Sequence, residues 1–262
     1  MIHARARIHP TALVAEGAVI DADVEVGAYT LIGEHVAIGA GTRIGPHAVI
    51  TGHTRIGQGN RIFQFVSLGE EPQDKKYAGE PTRLEIGDYN TIREFCTFNT
   101  GTVQDTGVTR IGDHNWLMAY VHIAHDCVVG NHVIFANNAS LAGHVQVDDY
   151  AILGGFTGVH QFCRVGGHVM IGIASVIRQD VPPFMTIAGS PAAPFGINAE
   201  GLKRRGYSPE ALAALKRAYK TLYKSGLGLD AARTAIAEEA TRQPELQPLA
   251  DFLAIPGRGI LR

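Results

Sequence analysis

The chain has 262 residues, 23 Lys+Arg against 25 Asp+Glu, 45% hydrophobic residues and 18% charged ones. That length fits one large domain plus a small one, and the apolar content excludes wholesale disorder. A formal charge of -2 gives no argument for nucleic acid or a membrane surface as partner.

No run approaches the roughly 18 apolar residues of a spanning helix, so no transmembrane segment is expected. The start, MIHARARIHP, lacks the apolar stretch of a secretory signal, and the expected location is cytoplasmic. All 12 His precede residue 195, and the Pro-rich stretch SPAAPFG at 190–196 marks a change of composition. Residues 1–190 and 191–262 therefore read as two kinds of structure.

From Ile8 the chain divides into sixes without slippage. Their first residues run Ile8, Val14, Ile20, Val26, Ile32, Ile38, Ile44, Ile50, Ile56, Ile62 and Leu68. The fifth residues are small or branched, from Ala12 and Ala18 to Asn60 and Val66. A polar loop interrupts the pattern near 69–83. It resumes at Ile86, Ile92 and Phe98, and breaks again near 99–110. From Ile111 to Ile177 every sixth residue is apolar.

Six is not a helical period. The fifth residue and the next first residue are two apart, so both face one side of a short strand. The Gly, Asp, Asn and His between them supply a turn. Three strand-and-turn units close a triangular coil of eighteen residues, with aliphatic side chains stacked inside. The fold class is thus mainly β, a parallel β-helix of hexapeptide repeats.

The tail predicts helices. Ser208 is an N-cap, Pro209 opens the helix and Gly226 stops it. Leu212, Leu215, Tyr219 and Leu222 form its apolar stripe. A second helix opens at Asp230, and a short third follows Pro244. Such a helical cap covers an open end of the coil.

Eighteen-residue coils put residues i, i+18 and i+36 in one column. His125 then lies below Gly143 and Gln161, Asp126 below His144, and Ala124 below Ala142 and His160. One edge so collects three His, an Asp and a Gln, with His122 on the adjoining wall. Each alone reads as an ordinary turn residue; together they suggest chemistry. Asp126 beside His125 suits a carboxylate that fixes an imidazole as general base. The same groups suit zinc, but His160 falls in another column, and no metal is expected. Cys127 and Cys163 are inward and two coils apart, too far for a disulfide. No phosphate loop, GxSxG or dinucleotide fingerprint appears, and no cofactor is expected.

The segments VHIAHDCVVGN, NNASLAGHVQVDD, GGFTGVHQF, EPQDKKYAGEPTRLEIGD and FGINAEGLKRRGYS resemble the UDP-N-acetylglucosamine O-acyltransferases of lipid A biosynthesis. The resemblance covers essentially the whole chain. It implies a left-handed coil, a homotrimer with sites between subunits, and two substrates, acyl carrier protein and UDP-N-acetylglucosamine. An (R)-3-hydroxyacyl group would pass to the glucosamine 3-hydroxyl, the first step of lipid A biosynthesis. By the same resemblance His125 is the general base, Asp126 orients it, and the Gly143 N–H holds the oxyanion. Gln73, Asp74, Lys76, His122, His144, His160 and Gln161 match substrate-contacting positions. Asn198, Glu200, Arg204 and Arg205 match nucleotide-contacting ones. Met170 and Ile173 match positions that measure the acyl chain.

Two departures stand out. Asn99 occupies a position where the family often has His. Ile173 replaces the Gly of members that use long chains. Extra bulk in a packed site costs about 1–3 kcal/mol, roughly ten- to hundredfold in discrimination. A donor shorter than hydroxymyristoyl, resembling hydroxydecanoyl, is expected. The stripe Lys216, Lys220 and Lys224 suits either an acidic carrier protein or a solvated face. Two readings of other classes stay open: a zinc-dependent hydratase or hydrolase on this scaffold, and a β-helix that serves only as a binding platform.

Overall fold

The computed structural model describes residues 1–257 and 259–262. Two-residue strands such as Arg7–Ile8, Leu13–Val14 and Val19–Ile20 alternate with sharp corners. Among the described residues the strands form three sheets of eleven, nine and eight strands, the walls of a triangular prism. Arg7 pairs with Glu25 and Leu13 with Leu31, in parallel, one eighteen-residue circuit later. The first and fifth residues of the sixes point inward, and Ile20, Val24, Ile38 and Ile56 are almost fully buried. These columns form the core that the period of six predicts.

Most corners turn through a left-handed residue at the fourth position of the six. Tyr29, His47, Phe65, Phe95 and Tyr120 have φ between 57 and 66°. For an L-residue this conformation costs about 1–2 kcal/mol. The side chains offset much of it by stacking on the coil above, with ring centroids 4.7–5.3 Å apart. Such ring pairs are worth about 0.5–1.5 kcal/mol beyond burial. A second ladder, Tyr89, His114, His132, Tyr150 and His168, lines another edge.

Both loops leave from the remaining edge, where the nine-strand wall turns into the eight-strand wall. The first lies between strands Ser67–Glu70 and Arg83–Ile86, the second between Thr97–Asn99 and Val108–Ile111. They lengthen the circuits to 30 and 25 residues, and the register shifts between Leu68 and Glu70 at the root of the first loop but holds along the walls. Inside these long coils Asn60, Asn90 and Asn115 replace aliphatic residues. Asn60 Oδ1 accepts from Asn90 N, and Asn90 Oδ1 from Asn115 N, both at 2.8 Å. Each amide also donates to a corner carbonyl, so the buried polar ladder is satisfied.

The coil ends in an antiparallel pair, Met185–Ala188 with Ala193–Ile197. The second of these strands lies past residue 191, so helix begins only at Ala199. Four α-helices follow among the described residues: α1 (Ala199–Arg204), α2 (Pro209–Tyr223), α3 (Leu229–Ala240) and α4 (Gln247–Ala254). Ser208 Oγ caps α2 by accepting from Ala211 N at 3.1 Å. Leu212, Leu215 and Leu222 of the expected stripe are buried, and Tyr219 donates to Pro194 O at 3.2 Å. The short helix α1 has no counterpart in the expected elements. No helix among the described residues is long and apolar enough to cross a membrane.

Asn90→Ala removes an acceptor for the buried Asn115 amide and a donor to Gly112 O. We expect urea denaturation to show about 1–3 kcal/mol of lost stability, the cost of leaving buried polar groups unpaired.

Candidate active site

The loop-bearing edge carries the cluster that column arithmetic predicts. Strands His122–Ile123, Ser140–Leu141 and Gly158–Val159 stack in register and enter successive corners of this edge. His125 follows the first strand. Its Nδ1 lies 2.9 Å from Asp126 Oδ2. Asp126 is buried, with a left-handed φ of 57° that turns its side chain back toward the loops.

Thr102 of the second loop completes the Asp126 shell. Its N–H donates to Oδ1 and Oδ2 at 2.9 and 3.1 Å, and its Oγ1 to Oδ2 at 2.6 Å. Burial pushes the Asp126 carboxyl up, but the hydrogen bonds from His125 and Thr102 outweigh it and hold it below the usual range. A charged carboxylate accepts only, so His125 carries its proton on Nδ1 and offers the Nε2 lone pair.

Gly143 lies one coil above. A methyl group there would come within 2.5 Å of His125 Cε1 and 2.7 Å of Nε2, so only glycine leaves room for the ring. The amides of Ala142, His144 and Gln146 bond to neighbouring coils. The Gly143 amide occupies the third corner position. At another edge that position donates to a side chain of the coil above, as Asp113 N does to Asn131 Oδ1 at 2.7 Å.

His144 sits over Asp126. Its ring stands perpendicular to His125 at 5.0 Å and lies flat on Phe162 at 4.3 Å. His122 Nδ1 meets Thr97 Oγ1 at 2.8 Å, and burial lowers its pKa. A groove of about 470 Å³ crosses the adjoining wall, lined by His122, Ala142, His160 and Val176 among others. His160 and Gln161 are exposed at the corner above.

The remaining expected residues lie on the first loop and on the two other edges. Gln73, Asp74 and Lys76 are on the first loop, where Asp74 Oδ1 accepts from Lys76 N at 3.0 Å. Met170 and Ile173 belong to the edge between the eleven- and nine-strand walls, and Ile173 is 72% exposed. Asn198 and Glu200 open α1 and Arg204 and Arg205 close it, at the third edge. There Asn198 Nδ2 donates to His168 O at 3.0 Å, and the Arg205 guanidinium lies 4.8 Å over Tyr150. Within one chain, Met170, Ile173 and the residues of α1 stand on edges other than that of His125.

Sequence reasoning missed Thr102 and Asp105, which reaches His144 from the second loop. A signal was present: the loops follow Leu68 and Phe98, which share the column of Ile123. Counting units places both loops on the cluster's edge. Asn99 joins the two loops, its Nδ2 donating to Glu71 O at 2.8 Å. Cys96 and Cys127 are buried, and burial pushes each thiol up to about 12, as core residues.

Residues 180–261 match the family described as UDP N-acetylglucosamine O-acyltransferase, domain 2. Residues 17–52 and 109–143 match the bacterial transferase hexapeptide repeats. The acyl-[acyl-carrier-protein]--UDP-N-acetylglucosamine O-acyltransferase of Thiobacillus denitrificans is 72% identical over 98% of this chain and 100% of its own. The protein of the same name from Janthinobacterium is 59% identical over 97% and 99%. Among solved structures, LpxA from Acinetobacter baumannii superposes with a TM-score of 0.95 at 52% identity, covering 97% of this chain and 99% of that one. UDP-N-acetylglucosamine O-acyltransferase from Moraxella catarrhalis gives 0.94 at 45%, with the same coverage. The coil is the left-handed β-helix of these proteins.

His168 gives a pH prediction. Burial, then the Arg205 charge, lowers its pKa from 6.5 to about 4. Between these values the unfolded chain binds a proton that the folded chain does not. Stability is therefore full above pH 6.5 and falls as pH drops toward 4. Thermal melts should show this slope, and His168→Phe, which keeps the stack on Tyr150 and Phe184, should flatten it.

Proposed function

The chain belongs to the UDP-N-acetylglucosamine O-acyltransferases of the hexapeptide-repeat family, and on that premise we propose that His125 is the general base of its reaction. The protein is an enzyme of lipid A biosynthesis that transfers an acyl group from acyl carrier protein to UDP-N-acetylglucosamine. His125 Nε2 removes the proton of the glucosamine 3-hydroxyl as that oxygen attacks the thioester carbonyl of an (R)-3-hydroxyacyl group. The Gly143 N–H receives the developing oxyanion. Collapse of the tetrahedral intermediate expels the carrier thiolate, which takes the proton from His125. The reaction is assigned to the cytoplasm.

One observation carries the reading: His125 is anchored through Nδ1 on a carboxylate that Thr102 holds ionised, directly beneath Gly143. A fixed anion stabilises the imidazolium that forms, and a preplaced amide stabilises the oxyanion. His125→Ala should fold normally and lose about 10²–10⁴-fold in turnover. Gly143→Ala should displace the ring and lose most activity without a change in circular dichroism. Near wild-type turnover in His125→Ala removes the base assignment.

The spread of expected residues over three edges of one prism supports a homotrimer. Neighbouring copies would bring the Ile173 edge and the Asn198–Arg205 edge to the His125 groove. Sedimentation should give three times the chain mass. Ile173 then fills the space of terminal methylenes, and the donor is shorter than hydroxymyristoyl, resembling hydroxydecanoyl. Turnover of a ladder of acyl carrier protein thioesters should peak at the shorter chain, and Ile173→Gly should move the peak to longer ones. A clear preference of the parent enzyme for hydroxymyristoyl refutes this.

A metal-dependent hydratase or hydrolase is the second reading, because donor atoms of His125, Asp126 and His144 lie within 4.8 Å of one another. In the acyltransferase these donors have other partners, Thr102 and His125 on Asp126 and Asp105 on His144. Turnover should survive dialysis against chelator. Loss that zinc restores would favour the metal.

A further inference from the structure

We propose that Asp105 is a positioning residue that acts through His144 and keeps it off the carboxylate of the base. The inference rests on the reading of His125 given above. Asp105 lies on the second loop, and its Oδ2 is 2.8 Å from His144 Nδ1. His144 Nδ1 is also 3.9 Å from Asp126 Oδ2, the oxygen that holds His125. Two imidazoles thus stand side by side with two carboxylates in reach, and the second loop decides the pairing.

Charge and geometry fix the outcome. A carboxylate accepts only, so the short contact puts the His144 proton on Nδ1 and leaves Nε2 as the ring's acceptor. The ring is already clamped between the edge of His125 and the face of Phe162. Only a half-turn about its Cβ–Cγ bond keeps the ring flat on Phe162, and the Asp105 contact opposes that flip. Without Asp105, the nearest remaining carboxylate for Nδ1–H is Asp126. A bond there would draw Asp126 Oδ2 away from His125. Asp126 already accepts three hydrogen bonds from Thr102, two from its N–H and one from its hydroxyl. It has little capacity to serve two imidazoles at once. The second loop therefore does two jobs from residues three apart: Thr102 saturates Asp126, and Asp105 diverts His144.

The test compares Asp105→Ala, Asp105→Asn, His144→Ala and the double variant Asp105→Ala/His144→Ala. Long-range ¹H–¹⁵N spectra of the imidazoles read the tautomer of His125 independently of activity. We expect His125 protonated on Nδ1 in the parent and in Asp105→Asn, which retains an acceptor oxygen for His144, and a mixed His125 tautomer in Asp105→Ala, where His144 takes its place on Asp126. Asp105 is partly exposed, so the effect on rate lies at the lower end for a charge-assisted hydrogen bond. Asp105→Ala should lower kcat about tenfold with KM for both substrates within about twofold. Asp105→Asn should recover most of it. The loss should vanish in the His144→Ala background, because a residue that acts through another adds nothing once that one is gone. Unchanged His125 nitrogen shifts in Asp105→Ala overturn the inference alone. So does a loss that persists in full in the double variant. Wild-type turnover in His125→Ala overturns the base reading and the inference together.

Discussion

The structure depends on the register of parallel strands around an eighteen-residue circuit. Ladder hydrogen bonds fix the spacing of the coils, and inward aliphatic columns fix which residue faces the core. Neither alone would suffice. A slip of one residue would turn every inward side chain out. Because the period is six and the corners are built alike, the chain can repeat the circuit until the antiparallel pair ends it. The corners carry the conformational cost, and stacked rings on two edges offset much of it.

The loop-bearing edge lacks a continuous ring ladder and instead holds the His125, Asp126 and His144 cluster. Both loops leave from it, and their roots are tied by Asn99 and by a Thr82–Thr100 hydrogen bond of 3.1 Å. Gly101 lets the second loop pass close to Asp126, since a methyl group there would lie 2.8 Å from its Oδ1. The long circuits keep their register through the buried Asn ladder. The insertions therefore add polar side chains to one edge while the coil beneath stays regular. His125 is placed by the coil, and Asp126 is charged and aimed by the loop.

The side chains expected to act together are divided among the edges of one chain. His125 and Asp126 sit on one edge, Ile173 on a second, and Asn198 to Arg205 on a third. The walls between them are ladders of parallel strands around a packed core, which holds the three edges apart within one prism. Assembly of copies around an axis, as proposed above, is the physical route left open, and it would lay a neighbouring prism against the apolar groove lined by His122 and His160.

The sequence by itself determined the coil, because an apolar residue every sixth position has one economical packing. It also determined the His125, Gly143 and Gln161 column, the Asp126 and His144 column, and the capped helix at Ser208. Those follow from counting, since stacked circuits convert sequence distance into height. Handedness does not follow from counting; it came from resemblance, against the general preference for right-handed crossovers. Only the tertiary structure decided what the loops do. Thr102 and Asp105 lie outside the repeat, so no period locates them, and their partners are 24 and 39 residues away. The strand Ala193–Ile197 and the helix α1 were likewise set by the end of the coil, where an open backbone edge takes whatever segment can pair with it.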